Sequence, residues 1–181
     1  MATVVIDASV VLAWFVPTRT QAEKDFCNGI RTRVFEIGLT IVAPAVFDME
    51  VAGGLLKARR GKLISLAKFT EAREACERLP VEVHAFPYSI SRIIDMSIGY
   101  HAQAADAMYL HVAQRHAATV ITIDGGMAQA CQQSKIRFET LKRSQPPARQ
   151  PRVLATGHMR LCARPEDRRD RHASRRASLQ F

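Results

Sequence analysis

Apolar and polar positions alternate between two periods along the first 141 residues. Runs of β-branched and other apolar residues predict strands at residues 3–6, 39–44 (LTIVAP), 81–86 (VEVHAF), 118–124 (ATVITID) and 136–141 (IRFETL). Between them, helical spacing covers residues 9–16, 21–36, 44–60, 65–79 and 127–133, and residues 89–116 read as two helices meeting near Gly99. Pro17 helps to end the first helix, Pro44 suits the first position of the third, and Gly61 can stop it. Strands alternating with helices predict an α/β domain with a mostly parallel central sheet covered by helices. Sites in such sheets form beyond the carboxyl ends of the strands.

An acid stands at two of those ends. VVIDASVVLAWFV, residues 4–16, places Asp7 after the first strand, inside a run otherwise suited to burial. TVITIDGG, residues 119–126, does the same with Asp124. An Asp in this position also caps a following helix, so each acid alone is open to either reading. Two more acids fall on predicted helices. Glu50, in PAVFDMEVAGGLLKARRGKL, lies between apolar Met49 and Val51. Its neighbour Asp48 is about 200° away around the helix, so the two cannot face one site. Asp106 interrupts the Ala-rich HAQAADAMYLHVAQRH. Taken singly, either helical acid reads as a surface carboxylate.

Taken in order, the four acids resemble those of the PIN domain, and especially of the VapC-type toxins of bacterial and archaeal toxin–antitoxin pairs. The matching pieces are VVIDASVVLAWFVP, APAVFDMEVAGGLLKARRGKL, AADAMYLHVAQRHAATVITID and the closing IRFETL. The resemblance covers residues 1 to about 141 and implies a three-layer α/β/α, Rossmann-like fold. It also implies an acidic cluster of Asp7, Glu50, Asp106 and Asp124 that is both catalytic and metal-holding, supported by Ser9 and Thr122. The implied activity is metal-dependent endoribonuclease, with RNA as substrate, a small cognate antitoxin protein as inhibitor, and a homodimer as assembly. The chain departs from the pattern at Gly53, where these toxins often carry Asn, and at Ala105, where Tyr often precedes the third acid. The Gly53-Gly54 pair is also expected to weaken its helix, each Gly by about 1 kcal/mol against Ala.

The chemistry of the residues agrees. Four carboxylates brought close together repel and take up protons unless a cation neutralises them. They are hard oxygen ligands, suited to Mg²⁺ or Mn²⁺. Such an ion acidifies water for attack on a phosphodiester, so no histidine base is required. His84, His101, His111 and His116 make no H-x-x-x-H pair and read as core or surface imidazoles, and Trp14 and Tyr109 read as packing residues. Lys57, Arg59 and Arg60, with Lys62 beyond them, read either as contacts to RNA phosphates or as a solvated helix end.

Two rival classes fit less well. A phosphatase using Asp7 as nucleophile expects a second acid two residues later, where Ser9 stands, and a phosphate-receiving domain expects paired acids at the first strand end. A nonenzymatic PIN-like RNA- or protein-binding module is disfavoured because all four acidic positions are filled.

Composition adds limits. The chain has 181 residues, 48% hydrophobic and 24% charged, as expected of a soluble domain with a proper core. Its net charge of +9 is uneven: residues 1–141 carry 15 Lys and Arg against 14 Asp and Glu, while residues 142–181 carry 11 against 3. The high isoelectric point therefore describes the Arg- and Pro-rich tail, which reads as a disordered, solvated extension of the nuclease-like domain at 1–141 in preference to a specific nucleic-acid arm. Cys27, Cys76, Cys131 and Cys162 are far apart and form no C-x-x-C, which points to a reducing cytoplasm and neither a zinc cage nor a disulfide framework. Asp7 interrupts the N-terminal apolar stretch, and the run over residues 10–16 is too short to span a bilayer.

Overall fold

β-Branched residues open the chain as β1 (Thr3–Ile6), and Asp7 turns it into a short α1 (Ala8–Leu12). The computed structural model describes residues 3–18, 20–85 and 89–141. It continues with α2 (Gln21–Thr32), β2 (Thr40–Pro44), α3 (Val46–Arg60) and α4 (Leu66–Glu77). Then come β3 (Val81–His84), α5 (Ile90–Tyr100), α6 (Ala104–Arg115), β4 (Thr119–Ile121), α7 (Gly125–Gln133) and β5 (Phe138–Glu139). All strand pairs are parallel, in the order β3-β2-β1-β4-β5. The chain thus winds outward from β1 through β2 to β3, then returns to the other side of β1. That reversal puts the topological switch point between β1 and β4, where open α/β sheets bind ligands.

Burial shows why helices lie on both faces. Successive strand side chains point to opposite sides of a sheet, yet Val4, Val5 and Ile6 are 3%, 0% and 0% exposed. Ile41, Val42 and Ala43 in β2 and Val120 and Ile121 in β4 are equally inaccessible. A central strand buried on both sides reads as a continuous apolar run because helices cover each face, giving the α/β/α layering.

Several local expectations need correction. The first helix ends at Leu12, not near residue 16. Residues 13–16 continue as turns that bury Trp14 and Phe15, and Trp14 Nε1 donates to the Cys27 carbonyl in α2 at 2.8 Å. The second helix ends its α-helical course at Thr32 and widens into a π-helical turn, Arg33–Ile37, closed by Gly38 at φ 75°. Pro44 does not start a helix: it is the buried last residue of β2, in register with His84, and α3 begins at Val46. Gly61 does cap the end of α3, as expected, with the left-handed conformation falling one residue later, at Lys62 (φ 56°). Gly61 is pressed against α3, where a β-carbon would come within 3.2 Å of the Lys57 carbonyl oxygen. The last helix starts at Gly125 because Asp124 caps it.

The central glycines of α3 differ in kind. A β-carbon at Gly54 would fall 2.3 Å from Leu12 Cδ1, so this glycine lets α1 lie against α3, whereas at Gly53 it would meet nothing within 4 Å. Among the described residues no helix is long and apolar enough to cross a membrane. The tail expected from residue 142 lies outside the described residues.

Candidate active site

Asp7 is the fixed point of the site. It sits at the carboxyl end of β1, where its N–H donates to the Ile121 carbonyl of β4 at 3.0 Å. The residue is only 8% exposed. Oδ2 accepts hydrogen bonds from Ser9 Oγ and Thr122 Oγ1, both at 2.6 Å, and Oδ1 accepts a longer one from Ser9 N at 3.3 Å. Asp7 therefore caps α1, as one of its sequence readings required, and the cap contact is the weakest of its three. Burial of a carboxylate without such donors would be costly.

The strand-end acid of β4 is tied to the first one. The Thr122 hydroxyl, fully buried, accepts from Asp124 N at 2.9 Å while donating to Asp7. Asp124 is itself exposed, and its Oδ1 accepts from Met127 N at 2.9 Å as the cap of α7. A β-carbon at Gly126 would come within 3.0 Å of that oxygen, so the glycine keeps the approach open.

The helical acids arrive from two further elements. Asp106 lies in the first turn of α6, half-buried, and among the described residues nothing hydrogen-bonds its carboxylate. Burial, then the charges of Asp7, Asp124 and Glu50, push its carboxyl up to about 6. Glu50 lies in the second turn of α3, half-buried, and accepts from the Tyr109 hydroxyl at 2.6 Å. Burial raises its pKa, the Tyr109 hydrogen bond opposes that, and Asp7 adds to it. Asp106 thus feels the other three acids and Glu50 feels Asp7, while Asp7, Asp106 and Asp124 each stand at the cap or in the first turn of a helix, α1, α6 and α7, where the partial positive charge lies. Asp48 faces elsewhere, into a separate hollow beside Arg73 and Glu77.

Two openings reach Asp124, one of them shared with Asp106, and neither is lined by Asp7 or Glu50. One cleft of about 510 Å³ contains Asp106 with His101, Gln103 and Gln129. The other, of about 600 Å³, runs between α1 and α3 past Ser9, Leu12, Gly54 and Lys57. A larger hollow of about 680 Å³ beside Trp14 and Lys68 contains none of the acids. Of the three cations on the last turn of α3, Lys57 lines the second opening while Arg59 and Arg60 do not.

Among the described residues no three His, Cys, Asp or Glu side chains are gathered tightly enough to cage a metal ion. The donor set nevertheless fits a hard divalent cation of the loosely held kind. Mg²⁺ usually keeps several waters and takes only one or two carboxylates directly. Among the described residues no Lys or Arg pairs with any of the four acids, and the Asp106 carboxyl is raised by its burial and then by the charge of the other three.

Sequence reasoning missed two contacts. Tyr109, read as a packing residue, is indeed buried at 1% exposure, but its hydroxyl also reaches Glu50. His101, exposed at the left-handed end of α5, borders the Asp106 cleft, a position that only the turn between α5 and α6 reveals.

The sequence pattern of the PIN domain matches residues 4–132, a span that contains all four acids. Among solved structures, PAE2754 from Pyrobaculum aerophilum superposes with a TM-score of 0.54 at 15% identity, over 77% of this chain and 84% of that one. FitAcB from Neisseria gonorrhoeae gives a TM-score of 0.49 at 16% identity, over 75% and 95%. At 15% identity, the likeness to PAE2754 is one of fold alone. No curated protein sequence matches the chain.

Proposed function

The chain belongs to the PIN domain family, and from that premise we propose that it is a Mg²⁺- or Mn²⁺-dependent endoribonuclease, the VapC-type toxin of a toxin–antitoxin pair. The observation that carries this reading is the mutual electrostatic influence of four carboxylates, none paired with a described Lys or Arg, with Asp106 pushed up to about 6 by burial first and then by the charges of Asp7, Asp124 and Glu50. Asp7, Glu50, Asp106 and Asp124 are the residues that would hold the ion. When bound, a divalent cation supplies charge neutralisation, a more acidic water and stabilisation of the departing oxygen.

The chain's own groups prepare that chemistry. Ser9 and Thr122 hold the Asp7 carboxylate by its Oδ2, and Thr122 sets the Asp124 backbone beside it. Lys57, on the wall of the opening between α1 and α3, is placed to neutralise an RNA phosphate entering there. Arg59 and Arg60 extend the cationic edge along the exposed end of α3. The resemblance to VapC-type toxins supports a small antitoxin protein as inhibitor and a homodimer as the assembly.

The test is an end-labelled RNA incubated with the purified protein in Mg²⁺, in Mn²⁺ and in EDTA, beside the Asp106→Asn variant. Internal cleavage by wild type in either metal, abolished by EDTA and by the substitution, is the expected result. Cleavage that survives both EDTA and Asp106→Asn would overturn the reading. Metal-independent RNA retention without cleavage would favour a binding module instead.

A further inference from the structure

We propose that Tyr109 is a positioning residue, whose buried hydroxyl fixes the Glu50 carboxylate relative to Asp7 and Asp106. This deepens the nuclease reading and rests on it. The ring of Tyr109 is 1% exposed and belongs to the core, a task that Phe would perform as well. A buried hydroxyl needs a partner. Here the partner is Glu50 Oε2, at 2.6 Å, the length of a charge-assisted O–H···O⁻ hydrogen bond.

The same phenol joins the two helices that carry Asp106 and Glu50. Tyr109 lies on α6, one turn beyond Asp106. Its hydroxyl spans to α3 through Glu50. A Glu side chain has three torsions to order, and a half-buried one loses that freedom only when something holds it. Tyr109, with its ring locked in the core, supplies a rigid donor, and it engages one carboxylate oxygen only. Glu50 Oε1 is left without a hydrogen-bond partner among the described residues.

The experiment uses Tyr109→Phe, which keeps the ring and removes the hydroxyl, in the full chain. It is measured alone and in a Glu50→Ala background, with both steady-state RNA cleavage and the Mn²⁺ concentration that half-saturates the rise in unfolding temperature. Misplacing one acid is expected to lower kcat between about 10-fold and about 100-fold with KM unchanged. The Mn²⁺ midpoint should move severalfold to higher concentration, and neither effect should appear in the Glu50→Ala background, because the hydroxyl acts through Glu50. Equal losses in both backgrounds, unchanged kcat and Mn²⁺ midpoint, or a Tyr109→Phe protein that no longer unfolds cooperatively, would each show a merely structural hydroxyl and overturn the proposal. A wild type that cleaves no RNA would sink the nuclease reading instead, while the Mn²⁺ midpoints would still judge Tyr109.

Discussion

Thr122 donates to Asp7 Oδ2 at 2.6 Å across 115 residues of chain, and its oxygen accepts from the backbone of Asp124. One buried hydroxyl therefore sets the spacing of the two strand-end acids. Thr122→Val leaves the Asp124 N–H without that acceptor and Asp7 with one donor fewer, and is expected to destabilise the protein by about 1–3 kcal/mol. Thr122→Ser keeps the hydroxyl and should retain most RNA cleavage, which Thr122→Val should not. Urea unfolding and cleavage rates of the two variants check both statements.

Neutralising different acids should have opposite effects on the metal-free protein. Asp7 is held by three hydrogen bonds; an Asn oxygen in the place of Oδ2 can still accept from both hydroxyls, but as a neutral, weaker acceptor, while its amide confronts the Ser9 N–H in the place of Oδ1. Asp7→Asn is expected to cost about 1–2 kcal/mol in EDTA. Asp106 has no such partners and three acidic neighbours, so Asp106→Asn should stabilise by on the order of 1–3 kcal/mol at pH 7. Both variants should lose most cleavage. Thermal unfolding in EDTA at pH 7 separates them, and a destabilised Asp106→Asn protein would contradict the electrostatic account of the site.

The pH dependence follows from the same carboxyl. Asp106 titrates near its ordinary 3.8 in the unfolded chain and at about 6 in the folded one. Between those values the native state holds a proton that the unfolded state has shed, so this group's contribution to stability falls as pH rises through the window. The unfolding-temperature advantage of Asp106→Asn over wild type in EDTA is therefore expected to be small at pH 4 and largest above pH 6. Millimolar Mg²⁺ at pH 7 should shrink it, because an ion bound only by the folded state restores stability to wild type.

The two central glycines of α3 should respond differently to a methyl group. Gly53→Ala meets open space and is expected to stabilise by up to about 1 kcal/mol through helix propensity. Gly54→Ala gains the same propensity but drives into Leu12, whose Cδ1, Cδ2 and Cγ would lie 2.3, 2.7 and 3.1 Å away. Overpacking of that kind costs about 1–3 kcal/mol, so the net change is expected to be destabilising. Denaturation midpoints of the pair decide it.

The strands and the order of the acids were legible because β-branched runs and strand-end acids are local signals. Val4 to Ile6 could hardly be anything but a doubly covered strand. Where the sequence misled, a tertiary contact overrode a local rule. Pro44 has the residue type for a helix start, yet pairing with β3 keeps it in the sheet. Gly61 does end α3, yet it is Lys62, one residue later, that takes the left-handed conformation. The hydrogen bond from Tyr109 to Glu50 joins residues 59 apart, and nothing in the spacing of either helix announces it.

The strand order also dictates when the site can exist. β1 is made first, but its partner on the switch-point side, β4, is the fourth strand to be synthesised. Closing so long a loop costs entropy that grows only slowly with length, yet parallel pairing across it is a slow, late event in folding. A chain still growing on the ribosome carries Asp7, Glu50 and Asp106 without the β4 hydroxyl and acid that complete their arrangement. Until residues 119–124 have emerged and Thr122 has met Asp7, the nascent chain lacks the hydrogen bond that ties the ends of β1 and β4 together.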